Sequence, residues 1–203
     1  MTSDGAPLRL VLATANPHKA TEIRAILRAA GAAGELVARP ESVPEVVEDA
    51  DTLEGNARLK AAALAAATGL PALADDTGLE VDALGGAPGV QSAYYGGGDH
   101  DSAANVARVL DEMARTRRAS RTARFRTAAL IRWPDGRELC ALGTVEGVIA
   151  PAPEGDGGFG YDPIFRPAGG AGRTFALMGA AEKDALSHRG RALRALAVLL
   201  VES

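Results

Sequence analysis

The chain has 203 residues, 47% of them hydrophobic, and a formal net charge of −4. A chain of this length buries roughly 70% of its unfolded surface in one compact domain, so it needs no disulfide staples, and its single cysteine, Cys140, excludes an internal disulfide and a multi-cysteine metal centre. The negative balance argues against a general nucleic-acid binder, which needs Lys and Arg to neutralise phosphates, and a reducing, cytoplasmic compartment is the expected address.

The elements follow in chain order. "LRLVLATA" (8–15) is a near-continuous apolar run of the kind found in strands buried on both faces. It has no basic lead and no small-residue cleavage pattern, so it is not read as a signal peptide. "KATEIRAILRAAG" (19–31) has helical spacing at Ile23, Ile26 and Leu27, and Gly31 ends it. "ELVA" reads as a short strand, and "TLEGNARLKAAALAAATG" (52–69) as a helix capped by Thr52 and ended by Gly69. "ALAD" and "LEVDAL" read as two strands around a DDTG turn. A helix spans 102–115, with Val106, Val109, Leu110 and Met113 on one face. "RFRTAALIRW" and "RELCALGTVEGVIA", joined by "PDG", form a hairpin. A Gly/Pro-rich stretch then leads into "FGYDPIF", and a last helix covers about 187–201. Its apolar part is interrupted by Arg194 and falls short of the ~20 residues that span a bilayer. The expected class is α/β: a mixed β-sheet flanked by helices, with a ligand cleft between the sheet halves, in a single domain over 1–203.

Arg outnumbers Lys nineteen to three, which directs attention to Lys19, Lys60 and Lys183 as positions where a compact ammonium is required. Thr14, Ala15, Asn16, Pro17, His18 and Lys19 lie between a strand and a helix, where free N–H groups and the helix dipole favour an anion; the plainer alternative is a turn with Asn16 as helix cap. Asp76, beside Asp75, either holds a divalent cation and takes a proton from water, or forms an Asx turn before Gly78. His188 and Arg189 place positive charge in the first turn of the last helix, against its dipole. Either a ligand compensates or both side chains bend into solvent. In "GGFGYDPIF", Phe159 offers a face for a base or packs into the core. The basic run 115–126 reads as a solvated connector.

Taken together, "TANPHK", "TLEGNARLKA", "ADDTGLEVDALGGAPGVQSA", "GGFGYDPIF" and "EKDALSHRGRAL" resemble, in this order, the inosine/xanthosine triphosphate pyrophosphatases. The resemblance implies an elongated mixed α/β fold with two lobes and a cleft between them, and a homodimer that converts ITP, dITP or XTP to the monophosphate and pyrophosphate with Mg2+. It implies that Asp76 is general base and metal ligand, with Glu45 a second ligand. Thr14 to Lys19 would hold the triphosphate, Thr77 a neighbouring part of the substrate, and Phe159, Gly160, Tyr161, Asp162, Lys183, His188 and Arg189 the nucleotide and base. From the short apolar runs and the negative charge, neither a membrane nor a stable nucleic-acid partner is expected. Four positions depart from the family pattern: Ala15 stands for the usual Gly, Tyr94 and Glu154 for Arg, and Leu177 for Glu. Ala15 is expected at negative φ, since positive φ there would cost ~1 kcal/mol or more.

Overall fold

The computed structural model describes residues 8–32, 34–97, 101–116 and 120–202. The opening apolar run forms β1 (Leu8–Leu12), and α1 (Pro17–Ala29) turns Ile23, Ile26 and Leu27 inward. β2 (Gly34–Val37) pairs in parallel with β1, Leu10 opposite Leu36. Glycine is required at its start, because a Cβ on Gly34 would sit 2.5 Å from the Leu8 carbonyl oxygen. α2 (Leu53–Thr68) has the boundaries its sequence implies: Thr52 Oγ1 accepts the Gly55 N–H at 3.0 Å, and Gly69 ends the helix at φ 68°.

The two strands expected around DDTG are one ten-residue strand, β3 (Ala72–Val81). Its first half pairs in parallel with β1, and its second half pairs antiparallel with β4 (Pro88–Gly89). The turn is absent because both aspartates meet cations where they stand, so the chain need not bend to take them to water. Residues 82–84 are a single 3-10 turn rather than more strand, closed by Gly85 at φ 65°.

α3 (Ser102–Arg115) is capped by Asp101, which accepts the Ala103 and Ala104 N–H groups. β5 (Thr122–Arg132) and β6 (Glu138–Ile149) are neighbours, and the Trp133 N–H donates to the Arg137 carbonyl at 3.0 Å across their turn. β7 (Phe165–Pro167) pairs antiparallel with β6. A short helix that the sequence reading omits, α4 (Ala180–Leu186), precedes α5 (His188–Glu202). The strands hydrogen-bond in the order β2-β1-β3-β5-β6-β7, with β4 on β3, so the sheet is mixed and the class is α/β as expected. Among the described residues no helix is long and apolar enough to cross a membrane.

The chain divides into two compact units that interleave along the sequence. The first comprises 1–76, 127–143 and 189–203, and its core joins Leu10, Leu12 and Leu73 to Ile23 of α1 and Leu193 and Leu196 of α5. The second comprises 77–126 and 144–188, and its core gathers Leu79, Val109, Phe125, Phe165 and Phe175. Much of the basic run is tied down inside this second unit. Arg121 donates to the Ile149 and Ala150 carbonyls at 2.6 and 2.7 Å, and Arg124 and Arg126 pair with Glu80, Asp82 and Glu146. Arg117 and Arg118 lie outside the described residues.

Candidate active site

β3 carries the two aspartates, and the alternation of a strand sends them to opposite sides. Asp75, 3% exposed, shares its side with Leu73 and meets Lys19 of α1 at 3.4 Å and Arg189 of α5 at 3.1 Å. Asp76, 6% exposed, faces α2: Lys60 Nζ lies 2.8 Å from its Oδ1, and Asn56 Nδ2 lies 3.4 Å from its Oδ2. The same ammonium lies 2.8 Å from Oε2 of Glu48, in the segment before α2. Helical spacing places Asn56 and Lys60, four residues apart, on one face of α2 toward this carboxylate.

The two neighbours differ electrostatically. Burial opposes ionisation of Asp75, but Lys19, Arg189 and Lys60 outweigh it and hold the carboxyl far below the ordinary range. Burial dominates at Asp76 and, with Glu48 adding repulsion, lifts its carboxyl to about 6 against the pull of Lys60 and Lys19. Burial also works against Glu48, yet Lys60 draws it below the usual value. Lys60 itself is desolvated, but Asp76 and Glu48 raise it, so the ammonium is fully charged at neutral pH. Burial lowers Lys19, although Asp75 resists this. Asp76 is therefore the carboxylate in this group that is poised to exchange a proton near neutrality.

At the start of α1 the plainer sequence reading is realised. Asn16 Oδ1 accepts the His18 and Lys19 N–H groups at 2.9 and 3.3 Å, and Pro17 has none to offer, so the helix end is capped by its own chain. An anion here would be met by side chains, with Thr14 half-buried and Lys19 beside Asp75. His18 and Ala15 are exposed, and Ala15 needs no left-handed backbone; Ala171, at φ 52°, is the non-glycine residue that adopts it among the described residues.

In the second unit, Asp162 Oδ2 accepts the Phe159 N–H at 2.8 Å and the Lys183 ammonium at 2.6 Å. That ammonium sits 4.5 Å from the centre of the half-buried Phe159 ring. Gly158, at φ 71°, has no room for a side chain, since a Cβ would lie 2.1 Å from Asp162 Oδ2. Tyr161, buried beside Asp162, donates its hydroxyl to the Ser92 carbonyl at 2.8 Å, and Gly160 takes φ 62°. His188 is buried and stacked on Phe125, with ring centres 4.5 Å apart and planes 16° off parallel. Thr77 continues β3 beyond Asp76 and is half-buried.

Two sequence readings can be set beside the structure here. His188 and Arg189 do not bend into solvent: they are 3% and 2% exposed. The charge of Arg189 against the α5 dipole is compensated by the chain itself, through Asp75 and Glu22. The acid brought to the Asp76 side is Glu48, whereas Glu45 is exposed. Sequence reasoning missed Lys60, Asn56 and Glu48 as part of this group. Lysine scarcity was a signal for Lys60, because each of the three lysines ends on an aspartate: Lys19 on Asp75, Lys60 on Asp76 and Lys183 on Asp162. Glu48 had none, standing among Glu41, Glu45, Asp49, Asp51 and Glu54 in one acidic stretch. Of the departures from the family pattern, Glu154 pairs with Arg166, and Tyr94 and Leu177 are 44% and 47% exposed.

The first unit thus carries a poised strand carboxylate held by a lysine, and the second a glycine-bracketed aromatic loop beside a buried lysine. The chain belongs to the Ham1 family, whose model matches residues 10–199. It is 49% identical over 197 residues to the dITP/XTP pyrophosphatase of Streptomyces coelicolor, covering 96% of this chain and 98% of that protein. To the dITP/XTP pyrophosphatase of Thermus thermophilus it is 49% identical over 189 residues, covering 93% and 90%. Among solved structures, a HAM1 protein from Coxiella burnetii superposes with a TM-score of 0.86 at 39% identity, covering 97% of this chain and all of that one. The nucleoside-triphosphatase / dITP/XTP pyrophosphatase of Mycobacterium abscessus gives 0.72 at 44% identity, covering 93% and 97%.

Proposed function

We propose that the protein hydrolyses deaminated purine nucleoside triphosphates, ITP, dITP and XTP, to the monophosphate and pyrophosphate, and so removes them from the nucleotide pool. The observation that carries this reading is Asp76, a buried carboxylate lifted to about 6 and held by Lys60 and Asn56 on an ordered strand. Its relatives' names, dITP/XTP pyrophosphatase, supply the substrate class.

Asp76 acts as general base: it takes a proton from water while the water oxygen bonds to the α-phosphorus and the bridging oxygen leaves with pyrophosphate. Thr14 and Lys19 meet phosphate oxygens. Phe159, Gly160, Tyr161, Asp162 and Lys183 hold the nucleoside, with His188 and Arg189 as donors toward the 6-carbonyl that hypoxanthine and xanthine share. Adenine presents an amino donor at that position, and an unsatisfied buried donor costs roughly 1–3 kcal/mol.

The donor set fits Mg2+. Asp76 and Glu48 present hard carboxylate oxygens to one shared counter-charge, and Mg2+ is commonly held by one or two carboxylates with substrate phosphates completing its shell. Asp76 and Glu48 would hold the ion, in place of the Glu45 that the resemblance implied. When bound, the cation offsets the triphosphate charge and stabilises the departing pyrophosphate.

The test is release of pyrophosphate from ITP, XTP, GTP and ATP side by side with Mg2+, with ITP and XTP strongly preferred. Asp76→Asn should abolish turnover with the fold intact; single phosphate as the product, or normal turnover in that variant, would refute the assignment. A homodimer in the cytoplasm completes the proposal. Sedimentation at micromolar concentration tests the first part and cell fractionation the second.

A further inference from the structure

The Lys60 ammonium touches an oxygen of Asp76 and an oxygen of Glu48, each at 2.8 Å, and its side chain is only 12% exposed. These are the two carboxylates assigned to the divalent cation above, on which this inference rests. A buried pair of like charges is tolerated only with a counter-ion, and in this chain Lys60 supplies it. An ammonium and a metal dication cannot both sit within contact distance of the same two oxygens without strong repulsion in a poorly solvated site.

We propose that Lys60 is the resident counter-cation of the metal site, displaced from Glu48 and Asp76 when the divalent ion enters. The long, flexible stem of lysine suits this role, because the head group can move to a new anion while the stem stays packed on α2. Three consequences follow. The metal alone binds weakly, since it competes with a tethered ammonium. A polyphosphate that receives the displaced ammonium strengthens metal binding, and the metal strengthens polyphosphate binding by the same factor. Lys60 also keeps the carboxylates apart and charged while no metal is present, so the fold does not depend on the ion.

The experiment uses the wild-type chain and its three lysines. Acetylation by an amine-reactive ester is followed by peptide mass spectrometry with and without saturating Mg2+, nucleotide being absent; Lys183, held by Asp162 in the other unit, is the internal reference. Lys60 labelling should rise several-fold on adding Mg2+ relative to Lys183. In parallel, calorimetry with Mg2+ alone should show binding tightened about tenfold or more in Lys60→Met, and the strengthening of Mg2+ binding by inorganic tripolyphosphate, part of which comes from direct phosphate–metal contact, should be smaller in that variant than in wild type. Flat Lys60 labelling at Mg2+ saturation overturns the proposal, even where Lys60→Met binds Mg2+ more tightly, because repulsion without displacement would explain that result. Glu48→Gln separates the two levels. If it leaves Mg2+ affinity unchanged, the assigned metal site itself fails and the displacement with it; if it weakens Mg2+ while labelling stays flat, only the displacement fails.

Discussion

Asp75 and Asp76 are adjacent, chemically identical and electrostatically opposite, and the difference comes from what each side of β3 places against them. Asp75 lies against Lys19 and Arg189, so its charge is favoured in the fold. Asp76 is desolvated with a single ammonium in contact, itself shared with a second acid, so its charge is disfavoured. Isosteric neutralisation should therefore have opposite effects at neighbouring positions. Asp75→Asn leaves buried cations under-compensated and should cost about 3–5 kcal/mol. Asp76→Asn should be neutral or stabilising by on the order of 2 kcal/mol, because a raised carboxylate is a charge the fold strains to keep. Urea unfolding of the two variants measures both. In metal-free protein the pH profile carries the same signs. The contribution of Asp75, whose folded value lies below its unfolded one, is present above about pH 4 and disappears as the pH falls toward that folded value. The contribution of Asp76, whose folded value lies above its unfolded one, is present below 3.8 and is lost as the pH rises through about 6. Unfolding midpoints in EDTA between pH 3 and 8 should show Asp75→Asn flattening the acid limb and Asp76→Asn removing the loss that wild type shows from about 4 to about 6.

At the scale of the element, α2 delivers Asn56 and Lys60 to Asp76, and its ends determine where they point. Thr52 and Gly69 set those ends by local chemistry alone. Thr52→Ala removes the oxygen that accepts the Gly55 N–H and should cost about 1 kcal/mol. Gly69→Ala meets no atom within 4 Å, so its whole effect is backbone strain at φ 68°, again about 1 kcal/mol. Because the first lies one helical turn before Asn56, its loss should also lower turnover modestly, while Gly69→Ala should leave turnover unchanged; thermal unfolding and steady-state assays on the pair separate the effects. α5 shows the reverse dependence. Its first turn is unfavourable by local rules and is made favourable by Asp75 and Glu22, which come from β3 and α1.

For the whole molecule, the interleaved units mean that single strands serve two cores. Leu73 and Leu79 both belong to β3, yet Leu73 packs in the first core and Leu79 in the second. Truncating either to Ala should cost about 2–5 kcal/mol. With no shared partners the costs should add to within ~0.5 kcal/mol in the double variant. Denaturant midpoints of the three proteins check this, and a large departure from additivity would show that the two cores respond as one.

Apolar periodicity, caps and turn residues are local, so the class, the ends of α2 and α3 and the β5–β6 hairpin were legible in the sequence, which also singles out Asp76 for the proposed site. The unusual ratio of Arg to Lys pointed to three positions, and all three pair with a buried aspartate. What no local rule contains is which charge stands opposite which. The unbroken course of β3, the capture of Arg189 by Asp75 and Glu22, and the lysine that Asp76 shares with Glu48 depend on groups from 12 to 167 residues apart in the chain. Pairing at that range is decided by packing and desolvation, which exist only once the strands and helices have met.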